Sequence, residues 1–248
     1  MRCTNNKEVP ESPRNSSRAV GRGIYFLKRM SSVNAPSTCS VLGIPFSILP
    51  GVFSPALSKA TEFFAKELVK DIQGKSVFEV GCGSGVISIL CALNGASQVF
   101  CSDISDVAIK NTTLNAKMHG VEDKVHIIKS SDFDSVVGRF DIVFFALPYV
   151  YIEDAAPIAK RFGYLTYSIF DENYAAQKIF LKKAARYVAP NGKILVGFSK
   201  IGEIDRFLSN VNEVSCSTNL IKSEREGRTD NRLYEVTPLK KKNSAEAV

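Results

Sequence analysis

The residues best placed to do chemistry are three carboxylates and three alternate glycines near the middle of the chain. Val77 to Ile87 reads Val-Phe-Glu-Val-Gly-Cys-Gly-Ser-Gly-Val-Ile, the pattern of a buried strand, a tight turn and the first turn of a helix. Glycines at 81, 83 and 85 let the backbone turn sharply and let a ligand approach the main chain. The helix that follows points unsatisfied N–H groups at that ligand. Asp103 lies 18 residues beyond the last glycine and closes the apolar stretch Gln98 to Ser102. At the end of the second strand of a doubly wound sheet, such an acid can accept hydrogen bonds from both ribose hydroxyls. Asp132 follows a third strand-like stretch, Lys124 to Lys129. Any one of these acids could cap a strand or form a turn; three in order at the ends of three successive strands point to a nucleoside site. The spacing excludes the dinucleotide fingerprint, whose third glycine falls where Val86 stands. An NAD(P)-dependent oxidoreductase therefore fits Asp103 and fails on Val86.

The elements that must position these groups alternate between strand and helix. Ser54-Pro55 reads as a helix start, a serine cap with proline at the first position. Ala56, Leu57, Ala60, Phe63, Phe64 and Leu68 then repeat at helical spacing up to Gly74. Helices are expected at 85–94 and 105–119, and strands at 97–102, 124–129 and 140–145. A long helix is expected from Asn173 to Val188, ending at the turn Pro190-Asn191-Gly192. A strand from Lys193 to Ser199 follows, then a helix from Ile204 to Val211 and two strands near 213–222 and 232–238. Alternation of this kind implies an α/β fold, a doubly wound parallel sheet with right-handed crossovers. Ile24 to Leu27 and Val41 to Leu49 read as short extended segments laid over the domain edge.

The form E-x-G-x-G-x-G resembles motif I of class I S-adenosylmethionine (SAM)-dependent methyltransferases. Ala146-Leu147-Pro148-Tyr149 stands where the "methyltransferase small domain" branch carries Asn/Asp-Pro-Pro-Tyr/Phe. That branch includes HemK-type protein-glutamine enzymes and several rRNA and DNA amine methyltransferases. Gly51-Val52-Phe53-Ser54-Pro55, Thr61-Glu62, Phe78 to Ile87 and Arg139-Phe140-Asp141-Ile142-Val143 also read like that branch, so the resemblance spans roughly residues 41–200. It implies a Rossmann-like sheet of seven mostly parallel strands with an antiparallel last strand, and SAM as cofactor. The cofactor residues it implies are Glu79, Gly81, Cys82, Gly83, Gly85, Asp103, Ile104, Asp132 and Phe133. Asp132 would meet the adenine amine and Phe133 the adenine ring.

The chemistry of the second loop follows from its target. An amide or exocyclic amine has a delocalised, weakly nucleophilic lone pair, and acceptors must hold its N–H groups so that the lone pair faces the methyl carbon. In the family an asparagine side chain and a backbone carbonyl supply those acceptors, and the aromatic residue stacks on a planar substrate. Positioning of this kind contributes up to ~7–11 kcal/mol. Pro148 and Tyr149 are retained here, whereas Ala146 has no side-chain acceptor and Leu147 replaces the first proline. Losing one such acceptor costs ~2.7–4 kcal/mol. Tyr149 and Tyr151 read equally well as edge-of-core aromatics, and Glu153, Asp154, Tyr164 and Tyr167 are candidate substitutes. Two functions are therefore expected: methyl transfer to a nitrogen of a protein or RNA substrate, with a ribosome- or translation-related partner among the expectations, or SAM binding by a catalytically weak homologue acting as a binding module.

Net charge sits at the ends of the chain. Residues 1–40 carry seven Lys/Arg against Glu8 and Glu11, and the segment after Leu239 carries three lysines against Glu246. Subtracting these from the totals of 32 basic and 25 acidic residues leaves 22 of each over residues 41–239. That neutral centre argues against strong electrostatic nucleic-acid binding by the core, while the basic ends could still supply it. Residues 1–23 read as a disordered basic segment, 24–239 as the methyltransferase domain, and 240–248 as a Lys-rich flexible tail. The two early glutamates weigh against a targeting reading of the N-terminus. Six cysteines without C-x-x-C pairing fit a reducing compartment, hence the cytoplasm. No apolar run approaches a membrane span. His119 and His126 lie far from any ligand-like cluster, so no metal site is expected. The sequence does not indicate an oligomeric state.

Overall fold

The computed structural model describes residues 13–199, 203–226 and 229–239. Seven strands form the central sheet: β3 (Ser76–Val80), β4 (Gln98–Asp103), β5 (Val125–Lys129), β6 (Phe140–Ala146), β9 (Val188–Ser199), β10 (Cys216–Glu226) and β11 (Thr229–Pro238). Their spatial order is β10-β11-β9-β6-β3-β4-β5. All neighbours pair parallel except β11, which inserts antiparallel between β9 and β10.

The central strands are apolar on both faces because both faces are covered, as parallel sheets require. Val77, Ile142, Phe144 and Leu195 face a core that includes Phe63, Phe64 and Leu68 of α2 (Ala60–Leu68) and Ile87, Ile89 and Leu90 of α3 (Val86–Leu93). Their neighbours Phe78, Val80, Val143, Phe145 and Val196 face the opposite core, with Phe180 and Leu181 of α6 (Ala175–Lys183) and Phe207 and Val211 of α7 (Ile204–Glu213). Alternation with a period of two assigns each residue to one core.

α4 (Asp106–Met118) connects β4 to β5 and turns a polar face inward. Its Asn111 and Asn115 side chains both donate to Ser47 O, at 2.7 and 2.8 Å, and accept from Leu49 N and Ser47 N. They thereby hold the hairpin of β1 (Ser37–Val41) and β2 (Ile44–Ile48) against the domain. The extended segment expected from Val41 to Leu49 is the second half of this hairpin.

A third, smaller core lies beyond β6. The short parallel pair β7 (Val150–Ile152) and β8 (Phe170–Glu172), the helix α5 (Ala156–Phe162) and a 3-10 segment (Gly163–Ser168) supply Val150, Leu165, Ile169 and Phe170. Covering them is α1 (Pro13–Ser31), through Leu27 and Met30. This corrects two expectations: residues 13–23 are helical rather than disordered, and Ile24 to Leu27 are helical rather than extended. Packing explains the difference. Gly21 and Gly23 each cost a helix about 1 kcal/mol relative to alanine, which hides the periodicity in the sequence. Gly23 is there for close approach, because a Cβ on it would stand 2.5 Å from the Phe170 ring. Residues 1–12 and 240–248, expected to be disordered and flexible, lie outside the described residues.

Two other boundaries move. Ser54-Pro55 opens only a 3-10 turn, Pro55–Leu57, with no side-chain cap, and α2 begins at Ala60. The long helix expected from Asn173 begins at Ala175 because Asn173 and Tyr174 both adopt positive φ, 52° and 55°. It ends by Arg186, and the Pro190–Gly192 turn is an irregularity within β9, where the register passes from Phe140↔Val188 to Ile142↔Lys193.

Candidate functional site

A cleft of about 600 Å³ opens at the carboxyl ends of β3, β4, β5 and β6, within the range of small-molecule sites. This is the switch region of the sheet, where the connection after β3 leads to β4 on one side and that after β6 leads to β9 on the other. The structure brings Glu79, Gly81, Cys82, Gly83, Asp103, Ile104, Asp132, Ala146, Leu147, Pro148 and Tyr149 to its lining. Gly85 and Phe133, expected among them, are not there.

Asp103 is the hinge of the cleft floor. Its Oδ2 accepts from Gly83 N at 2.9 Å and its Oδ1 from Ser105 N at 2.9 Å. The carboxylate thus joins the glycine turn to the start of α4, and burial raises its pKa while those N–H donors oppose the shift. From the far side α4 braces the same turn: Thr112 Oγ1 donates to Gly83 O at 3.1 Å, and Asn115 Nδ2 donates to Ser84 O at 2.8 Å. Asn111, Thr112 and Asn115 are all fully buried. Nothing in their residue types distinguishes them from a solvated helix face, so the sequence does not reveal this brace.

Glu79 is 3% exposed and reaches across to α3, where Ser88 N at 3.0 Å and Ser88 Oγ donate to its Oε2. Burial pushes its pKa up to about 8 against those hydrogen bonds. The folded pKa lies above the unfolded value, so the associated stability is present below about pH 4.5 and is lost as pH rises through about 8. Wild-type stability is expected to fall across that window relative to Glu79→Gln, by no more than about 1.4 kcal/mol per pH unit. Urea unfolding of both proteins from pH 4.5 to 8.5 checks this; parallel curves would show that Glu79 is already ionised in the fold.

Phe133 turns inward. It is 1% exposed, stacks on Tyr187 at 4.5 Å and 14°, and joins Phe78 and Phe180 in the core. Asp132 lines the cleft with φ 51°, while its neighbour Phe133 is buried and anchors the loop. The exposed apolar side chain at the cleft is Ile104, at the opposite edge after β4.

The loop after β6 is held by buried polar groups. Leu147 N donates to Gly197 O at 3.0 Å, and Gln177 Nε2 donates to Pro148 O at 3.4 Å. Gln177 is fixed in turn by Asn210 Nδ2 at 3.3 Å and by its own N–H, which donates to Asp171 Oδ2 at 3.0 Å. Asp171 also accepts from Ala176 N at 2.9 Å and so caps α6; burial pushes its pKa up to about 6. Tyr149 is half-buried, packs edge-on against Phe198, and burial pushes its phenol up to about 12. Asp171 and the brace Gln177–Asn210 were not legible as site residues.

Of the substitutes considered for the missing acceptor, Tyr164 and Tyr167 reach the cleft, their rings 6.5 Å apart. Glu153 and Asp154 do not: Asp154 caps α5 through Ala156 N at 2.9 Å, and the Glu153 carbonyl accepts from Asn173. Glu172 lines the cleft but already accepts from Ala155 N at 3.4 Å.

No helix of the described residues is long and apolar enough to cross a membrane. Residues 43–162 match the profile of a family described as the methyltransferase small domain. A candidate protein N5-glutamine methyltransferase of Methanocaldococcus jannaschii is 37% identical over 108 residues, 44% of this chain and 52% of that protein. The chain therefore spans about half the length of that curated relative. Two solved structures share the fold. The ribosomal protein L11 methylase of Lactobacillus delbrueckii subsp. bulgaricus has a TM-score of 0.56 and 18% identity, covering 78% of this chain and 84% of the other. The Thermus thermophilus 16S rRNA N2 G1207 methyltransferase, solved with AdoMet and guanosine, has a TM-score of 0.57 and 17% identity, covering 81% and 50%. The seven-stranded order with its inserted last strand and the glycine turn braced by Asp103 agree with that match, which spans residues 43–162 of the chain.

Proposed function

We propose that this chain is a SAM-dependent methyltransferase that acts on a nitrogen of a macromolecular substrate, protein or RNA, in the cytoplasm. The observation that carries the reading is the convergence of Asp103, the Gly81–Gly83 turn, Asp132 and the Ala146–Tyr149 loop on one cleft. The fit to the cofactor rests on this cradle: a Cβ built on Gly83 meets no atom within 4 Å, so bare backbone faces open space. Five free cysteines among the described residues support a reducing compartment.

Bound SAM supplies an electrophilic methyl group on a sulfonium sulfur. Asp103 would hold the ribose hydroxyls, Asp132 the adenine amine, Ile104 one face of the adenine ring, and Glu79, Gly81, Cys82 and Gly83 the amino-acid end. Asp103 and Asp132 line the cleft with carboxylates suited to a cation, and Glu79, its pKa pushed up to about 8 by burial, adds its charge only as pH rises through that value. Ala146 offers no side-chain acceptor, and Asp171 and Glu172 already accept from backbone N–H groups. The carbonyls of the 146–149 loop and the hydroxyls of Tyr149, Tyr164 and Tyr167 would then orient the substrate N–H. Gln177 aims the Pro148 carbonyl and leaves it one lone pair. Tyr149 supplies a flat face beside it.

Titration calorimetry with SAM and with NAD tests the cofactor, and transfer of labelled methyl into cell extract treated with nuclease or with protease tests the acceptor. Saturable SAM binding, no NAD binding, and label removed by one of the two treatments are expected. NAD binding without SAM binding would overturn the proposal.

A further inference from the structure

The basic charge at the N-terminal end of the chain is ordered into a surface. At 3.6 residues per turn, Arg18, Arg22, Tyr25 and Arg29 fall within about 60° of arc on α1. All four are exposed, Tyr25 at 57%. The Arg29 guanidinium lies 5.9 Å from the Tyr25 ring centroid. The helix contains no acidic residue, and none of the three arginines makes an ion pair among the described residues. Among the described residues these three cations on one face have no anionic partner, so their mutual repulsion is uncompensated there.

The opposite face of α1 fixes where that surface stands. Leu27 and Met30 pack in the same core as Leu165 and Phe170, which line the cleft. The helix is therefore the outer layer of the cleft wall. A basic amphipathic helix can also lie on an anionic membrane by inserting its apolar face, but here that face is already buried in the protein.

We propose that the outer face of α1 docks the phosphodiester backbone of an RNA substrate and so delivers it to the neighbouring cleft; this rests on the methyltransferase reading and narrows its substrate to RNA. Arginines spaced along one helical face suit a row of phosphates, and the exposed Tyr25 ring among them suits stacking of an unpaired base. An acidic protein would satisfy the charges but makes no use of the ring.

Fluorescence anisotropy with the full chain and a labelled, unstructured RNA of about 30 nucleotides, across a salt series, tests the proposal. The comparison is with Arg18→Gln/Arg22→Gln/Arg29→Gln, whose fold is checked by its melting temperature. The variant is expected to bind at least tenfold more weakly, with a log–log salt slope shallower by about two, since each single-strand phosphate contact contributes about 0.7. Tyr25→Ala is expected to weaken binding with the slope unchanged. SAM titration of the triple variant should match wild type; failure of SAM binding in wild type would defeat the methyltransferase reading while leaving the RNA measurement standing. Unchanged RNA affinity in the triple variant, or tighter binding to polyglutamate or to DNA of the same sequence, would overturn the proposal.

Discussion

Gly83→Val and Gly85→Val are expected to fail in opposite ways, although the two glycines are indistinguishable in the motif. Both adopt positive φ, 57° and 77°, where a side chain costs roughly 1–2 kcal/mol. At Gly83 that is the whole folding cost, because a Cβ there points into open space. At Gly85 the Cβ would stand 2.5 Å from Thr112 Cγ2 and 2.9 Å from Thr112 Oγ1. Thr112 is fully buried and bonded to Gly83 O, so it cannot move aside without releasing the turn. Overpacking adds about 1–3 kcal/mol. At ~2–4 °C per kcal/mol for a domain of this size, Gly85→Val should lower the melting temperature by roughly 5–20 °C, and Gly83→Val by only a few degrees. Ligand titration should reverse the order of interest: Gly83→Val stays folded and loses at least tenfold in SAM affinity because the new side chain occupies the cradle. Asp103→Ala should join it, since the variant forfeits the ribose hydrogen bonds proposed for this carboxylate, about 1.5–3 kcal/mol each for a charged acceptor, besides the bonds from Gly83 N and Ser105 N that shape the turn. SAM titrations unchanged for both Gly83→Val and Asp103→Ala would remove the glycine turn from the cofactor site.

The contrast shows what was legible in the sequence. Period-two and helical patterns located the central strands and the helices after β3 and β4 within a residue or two, because there each apolar position faces one of two continuous cores. The order of acids at strand ends exposed the cleft for the same reason: parallel topology places every strand's carboxyl end together. Phe133 escaped because its partners in the core, Phe180 and Tyr187, come from a distant helix and the turn after it, and no residue type announces that. α1 escaped because Gly21 and Gly23 interrupt its pattern, and Gly23 serves close packing on Phe170, a residue some 150 positions away. The segment from Val150 to Glu172 is held by strands of three residues, too short for a pattern to register. The brace of Asn111, Thr112 and Asn115, and the pair Gln177 and Asn210, are polar residues buried only because backbone groups from distant segments meet them. Such residues become visible when the fold is assembled.

Ala146→Asn is expected to raise methyl transfer to the native substrate. Residue 146 ends β6 at the cleft and is exposed, so an amide there meets no steric opposition from the core. The loop around it is already anchored through Leu147 N and Pro148 O, which leaves the new side chain as the only change to the acceptor set. One correctly aimed acceptor contributes ~2.7–4 kcal/mol to a transition state of this kind, a factor of about 10²–10³. Tyr149→Ala is expected to be the more damaging substitution, because it removes the flat face beside the acceptors and the edge contact with Phe198. Rates under single-turnover conditions separate the two effects: Ala146→Asn should act on the chemical step with substrate affinity little changed, and Tyr149→Ala on both. A wild-type enzyme that is already fast, and that Ala146→Asn slows, would mean that the loop is shaped for a nitrogen that is not part of a planar amide or ring. The alanine would then be the adaptation that admits a tetrahedral amine, bulkier out of plane than an amide. Retention of the wild-type rate in Tyr149→Ala would point the same way, since only a planar acceptor needs the ring.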